Sequence, residues 1–118
     1  MSNKKREVFF YKDYFESFYQ KQKEKVQEKI IWTFDLIEEV ENVPEKYLKH
    51  LTRTDGLYEI RIQLGNDIFR VFCFFDKGKL VVLMNGFQKK TQKTPKKEIV
   101  KALKIKKEYE YEKQHDKS

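Results

Sequence analysis

Arg61 and Arg70 are the residues whose spacing bears most directly on chemistry. Between them lies Gly65-Asn66, with the glycine-first preference of a two-residue type II′ hairpin loop. Such a loop pairs Leu64 with Asp67, Ile62 with Phe69, and Arg61 with Arg70 across two strands. Like charges directly opposed across strands destabilise a sheet, so this pairing is expected where an anion, or a carboxylate such as Glu59, neutralises them. If the next turn closes around Lys77-Gly78, Asn85 falls beside Arg70, and one face carries Arg61, Arg70 and Asn85 together. Gln88-Lys89-Lys90 then leaves the sheet near the same edge, within reach of an anion held by the arginines. A planar guanidinium donates two parallel hydrogen bonds to a phosphate, whereas lysine is a movable point charge or, with a depressed pKa, an acid or base. Together these groups suit RNA cleavage in which a ribose 2′-hydroxyl attacks its own 3′-phosphate. The protein need only position the strand, stabilise the added charge and move protons. The competing reading is a purely structural lattice in which Arg61 and Arg70 pair with Glu59 and other carboxylates.

Positive charge is concentrated beside these residues. The 118-residue chain carries a formal +7, with a pI near 9.4. Between Gly86 and Lys107 nine lysines are opposed only by Glu98, so this stretch holds +8 and the rest of the chain about −1. Segregation of that kind is an electrostatic footprint for a polyanion, although a solvated helix face is the simpler alternative. Lys93, Lys96 and Lys97, with Asn85, are the candidate RNA-binding residues.

The elements that must position these groups follow from periodicity. Val8-Phe9-Phe10-Tyr11 is a short β-prone run. From Asp13 to Glu41 apolar residues recur every three or four positions, which predicts amphipathic helix, broken into two by the polar stretch Gln20 to Lys25. Asn42-Val43-Pro44 ends the second helix, and Glu45 to Asp55 reads as a loop. Tyr58 to Leu64 alternates, while Ile68 to Phe75 and Leu80 to Phe87 are almost wholly apolar, as in strands covered on both sides. Thr94-Pro95 starts a final helix whose stripe runs through Ile99, Ala102, Leu103, Lys106 and Tyr109. The expected fold is α+β: an initial strand and two helices packed on an antiparallel meander, then a C-terminal helix. One domain spans residues 1–112, and residues 113–118 form a polar tail too hydrophilic to pack. The face opposite the arginines collects Ile60, Ile62, Phe69, Val71, Cys73, Phe75, Val82 and Met84, on which the N-terminal helices can lie.

Composition excludes several classes. A single cysteine, Cys73, rules out an internal disulfide framework, and it reads as a small core hydrophobe. Two histidines, His50 and His115, provide neither a metal cluster nor a catalytic triad, so no metal or cofactor is expected. No apolar run approaches a membrane span and Met1 to Arg6 lacks a signal-peptide core, so the expected location is the cytoplasm. Trp32 and Phe34 read as core, the alternative being exposed aromatics that meet a protein partner, and Asp35, Glu38, Glu39 and Glu41 as a solvated acidic helix end.

Three runs carry a family pattern: Gly56 to Ile62, Phe69-Arg70-Val71-Phe72, and Asn85 to Ile99 with Phe87, Lys89, Lys90, Lys93, Pro95 and Glu98 in order. In this the chain resembles the phage-derived HigB-like branch of the RelE/ParE toxin superfamily. The resemblance implies a small toxin that cleaves mRNA in the ribosomal A site, leaving a 2′,3′-cyclic phosphate and a 5′-hydroxyl. It also implies neutralisation by a helix-turn-helix, HigA-like antitoxin. Matched residue by residue, Arg61 faces the RNA, Arg70 binds phosphate, and Lys89 and Lys90 act as leaving-group acid or second clamp. Glu59 departs from the pattern by replacing a lysine, and the substrate-stacking tyrosine of RelE has no counterpart near Pro95; Tyr109 and Tyr111 are the available substitutes. His50 is a further possible base, set against a surface or packing role. Gyrase inhibition of the ParE type and non-catalytic RNA or antitoxin binding are alternatives on the same fold.

Overall fold

The computed structural model describes residues 4–116. The order is β1 (Glu7–Phe10), α1 (Tyr14–Gln20), α2 (Glu24–Glu39), β2 (Leu48–His50), β3 (Tyr58–Leu64), β4 (Asp67–Asp76), β5 (Leu80–Lys89) and α3 (Lys96–His115). The helical break falls where the apolar spacing lapses, and Val40 leaves helical geometry before Pro44. The α+β class is as expected, with β3, β4 and β5 forming the antiparallel meander. That meander is the centre of a five-stranded mixed sheet, ordered β1-β5-β4-β3-β2. β1 lies parallel to β5, and β2 antiparallel to β3.

Both faces of the meander are buried, which accounts for the unbroken apolar runs of β4 and β5. On one face Ile60, Ile62, Phe69, Val71, Cys73, Val81 and Leu83 pack under Phe15 of α1 and Val26, Ile30, Phe34 and Ile37 of α2. On the other, Phe72, Phe74, Val82 and Met84 pack under Ala102 and Ile105 of α3. Each fully buried side chain of this size contributes roughly 1.5–3 kcal/mol relative to exposure. Where α1 crosses β5, only glycine fits: a Cβ on Gly86 would lie 2.5 Å from Phe18 Cδ2. Cys73 is fully buried in the first core, and burial pushes its thiol pKa far up, in keeping with a core residue.

Five expectations need correction. The second hairpin loop is Lys77-Gly78-Lys79, one residue longer than expected, so Asp76 pairs with Leu80. A bulge between Val71 and Cys73 then shifts the register again, and Arg70 faces Phe87 rather than Asn85. The same shift turns Val82 and Met84 toward α3 instead of the N-terminal helices. Within Glu45 to Asp55 lies a strand, β2, too short at three residues to show a period. Trp32 is 46% exposed, unlike Phe34, because it falls on the outer side of α2. Finally, α3 continues to His115, and Lys113 Nζ lies 2.6 Å from Asp76 Oδ2. Polar groups hold the end of that helix: Tyr109, Tyr14 and Tyr11 donate to Asp76, Glu108 and Glu112, each at 2.6 Å. Lys113 and Tyr109, hydrogen-bonding to Asp76, hold its pKa below the usual carboxylate value.

Candidate functional site

The hairpin β3–β4 closes at Gly65, whose φ of 61° lies in the left-handed region glycine favours. The register that follows places Arg61 directly opposite Arg70, as the loop length predicts. Glu59 lies between them. Its Oε1 is 3.3 Å from Arg61 Nε and 3.6 Å from Arg70 Nε, and it is only 3% exposed. The carboxylate therefore serves both guanidinium groups, and the ion-pair lattice is part of the architecture. It is an incomplete lattice, however. Arg61 Nε, Arg70 Nε and Glu59 Oε2 are buried without a hydrogen-bond partner, in a setting where unpaired polar atoms are costly. Arg70 Nη1 donates to the Phe69 carbonyl at 3.1 Å and Arg61 Nη1 to the Glu45 backbone carbonyl at 3.4 Å. Burial, with Arg61 alongside, lowers the Arg70 pKa, and Glu59 opposes that shift.

Lys89 completes the cluster from β5. Its pKa is lowered, first by burial, then by Arg70, with Arg61 and Lys49 adding to the effect and Glu59 opposing it. Lys89 lies on the adjacent strand, paired with Ile68 two residues from Arg70, and the two arginines face a cleft of about 440 Å³. Arg61, Arg70, Tyr47, Lys29, Lys46 and Gln63 line it. The arrangement can hold an anion between two guanidinium groups and offer it a proton from a lysine poised below the ordinary range.

The other candidates separate. Lys90, Lys93, Lys96 and Lys97 are exposed on the segment from β5 into α3, and no ion pair among the described residues involves them. Lys106 and Lys113 of the same basic stretch and its extension are engaged by Asp55, Glu110 and Asp76. Asn85 is buried and donates to the side chain of Glu98 at 3.0 Å and its carbonyl at 3.2 Å, tying the start of α3 to the sheet. Its role is to position, which corrects the expectation of a cleft residue. His50 belongs to β2, where strand alternation puts it on the face of Tyr58, opposite Glu59 and Arg61; its ring centre is 4.9 Å from that of Tyr58. Tyr109 bonds Asp76, six positions along β4 from Arg70, roughly 20 Å at strand rise. Burial and that hydrogen bond push its pKa up to about 12, away from any ionised role. Tyr111 is exposed and stacks on His115 near the end of α3. Neither tyrosine reaches the arginines.

Tyr47, Lys29, Lys46 and Lys49 are cleft or neighbouring residues that pattern reading misses. The only sequence signal of Lys46, Tyr47 and Lys49 is a cluster of Lys and Tyr after Pro44, and Lys29 carries none.

A sheet covered by helices on both faces, with a basic cluster where β3, β4 and β5 meet, is the RelE-like arrangement. The chain belongs to the family described as phage derived protein Gp49-like (DUF891), whose model matches residues 17–107. This is a RelE-like, toxin-like family of toxin–antitoxin systems. A comparison with curated proteins gives no match.

Proposed function

We propose that this chain is the toxin of a toxin–antitoxin pair, of the HigB-like kind, and that it cleaves mRNA on the ribosome. The observation that carries the reading is the directly opposed Arg61 and Arg70 around one buried carboxylate, with Lys89 on the neighbouring strand paired with Ile68, two residues from Arg70. In this reading the scissile phosphate lies on Arg61 and Arg70, whose charge matches the extra negative charge of the transition state. The 2′-oxygen bonds to phosphorus as the bond from phosphorus to the 5′-oxygen breaks. Lys89 gives a proton to the departing 5′-oxygen, and the 2′ proton passes to solvent. The products are a 2′,3′-cyclic phosphate and a 5′-hydroxyl. Lys90, Lys93, Lys96 and Lys97 supply long-range attraction for ribosomal and messenger RNA. The partner that silences the activity is a HigA-like helix-turn-helix antitoxin.

Induction followed by primer extension on translated messages should show codon-linked cuts. Intact messages at a level that arrests growth, or DNA cleavage complexes of the gyrase type instead, would contradict the reading.

The pH dependence has a definite sign. Lys89 must be protonated to act as an acid, and its pKa lies below the ordinary lysine value of 10.5. Cleavage by the purified chain should therefore decline as pH rises through a midpoint below that value. Lys89→Arg, which stays charged, should remove this alkaline decline; an unchanged profile would assign proton donation elsewhere.

A further inference from the structure

The cleft does not end at the arginines. It continues along the outer edge of β3 to Tyr47, with Lys29 and Lys46 on its walls. β2 covers β3 only from Tyr58 to Ile60, leaving the edge beyond without a neighbouring strand. At its start the Arg61 N–H donates to the Tyr47 carbonyl at 2.8 Å, which brings Tyr47 to the arginine cluster. The alternation that turns this N–H outward also turns the N–H and C=O of Gln63 toward the same open edge. Against Tyr47 stands Trp32 of α2, their ring centres 5.6 Å apart and edge to face. Lys29 Nζ lies 4.2 Å from the Trp32 ring centre and Lys46 Nζ 5.6 Å from that of Tyr47. Trp32 belongs to neither buried core.

We infer that Trp32 and Tyr47 form a stacking platform for a base of single-stranded RNA whose phosphate rests on Arg61 and Arg70. The inference rests on the RNA-cleaving reading above and names the groups that hold the nucleotide beside the cut. Sequence-tolerant single-strand sites combine a positive groove for the backbone with aromatic rings for the bases. Both are present in one continuous surface, rings at one end and guanidinium groups at the other. The two lysines do not block it. A surface cation–π contact is weaker than base stacking, so an arriving base displaces the ammonium groups, which then meet the neighbouring phosphates. Charge also sets the direction of the strand. The groove on the far side of Trp32 carries Glu24, Glu28 and Asp35, which repel phosphate and leave the Tyr47 side as the path. The outward N–H and C=O of Gln63 offer a base edge one donor and one acceptor.

Trp32 is the sole tryptophan, so its fluorescence reports on the platform directly. The probe is a purine hexaribonucleotide at low salt, compared with the same strand carrying one abasic ribose. Stacking should quench Trp32. Tyr47→Ala and Trp32→Ala should each weaken binding of a labelled hexamer about tenfold, with Tyr47→Phe near wild type. The abasic strand should bind wild type about as weakly as the intact strand binds the alanine variants. Circular dichroism checks the fold of Tyr47→Ala, and the exposure of Trp32 makes Trp32→Ala the safer second variant. Binding that is lost in Arg70→Ala but indifferent to both aromatic substitutions and to the missing base would overturn the platform while leaving the RNA reading intact. Failure of the wild-type chain to bind either strand at low salt would overturn both.

Discussion

Glu59→Ala should lower folding stability by about 3 kcal/mol, the lower part of the range for removing one partner of a buried ion pair. The reason is specific to the register. Arg61 and Arg70 face each other across β3 and β4, and Glu59 is the carboxylate in contact with both. Without it, Arg70, 6% exposed, keeps a buried charge with a like charge as its neighbour. The Arg61 side chain, 30% exposed, is partly relieved by water, which holds the expected loss toward the lower figure. Denaturant titration should show a reduced midpoint with an unchanged slope. Added phosphate should restore part of the loss, because an anion that binds the folded chain between the arginines stabilises it by mass action. A loss below 1 kcal/mol, insensitive to phosphate, would mean that the arginines are neutralised by other groups.

Arg70→Ala should behave in the opposite way, with a large effect on activity and a small one on stability. Removing this side chain relieves the opposed charge and leaves Glu59 paired with Arg61. At the same time it takes away the guanidinium that meets the phosphate. Loss of one preorganised group that stabilises transition-state charge costs about 10²–10³ in rate. Growth arrest on induction should disappear, and cleavage of programmed ribosomes should fall by that factor. Arg70→Lys should recover only part, since a point charge lacks the planar fork. Arrest of unchanged strength in Arg70→Ala would remove the residue from the site.

How much of this was legible in the residues depended on the range over which each feature is determined. The Arg61–Arg70 pairing could be read because a two-residue loop dictates register and both arginines lie within a few residues of it. Asn85 could not be placed in the same way. Its register depends on a three-residue loop and a bulge, neither of which leaves a periodic trace, and the error of two positions moved it from the cleft to the start of α3. β2 has three residues and one buried side chain, too few for any pattern, so Tyr47 and the open edge of β3 stayed hidden in an apparent loop. The last turns of α3 looked unpackable because they are polar. They are held by Asp76, Lys12 and Tyr11, partners far away in sequence, through hydrogen bonds that apolar periodicity does not register. Charge segregation, by contrast, needs no fold to be seen. The fold adds which of the lysines are engaged: Lys106 and Lys113 are paired, while Lys90, Lys93, Lys96 and Lys97 lie exposed.

The chemistry itself is tested most directly at the ends of the RNA. The purified chain is incubated with ribosomes programmed with a defined message, Arg70→Ala serves as control, and the termini of any fragments are determined. The wild-type chain should yield fragments bearing a 2′,3′-cyclic phosphate and a 5′-hydroxyl, and Arg70→Ala almost none. An intact message, or fragments carrying 5′-phosphate and 3′-hydroxyl ends, would contradict it.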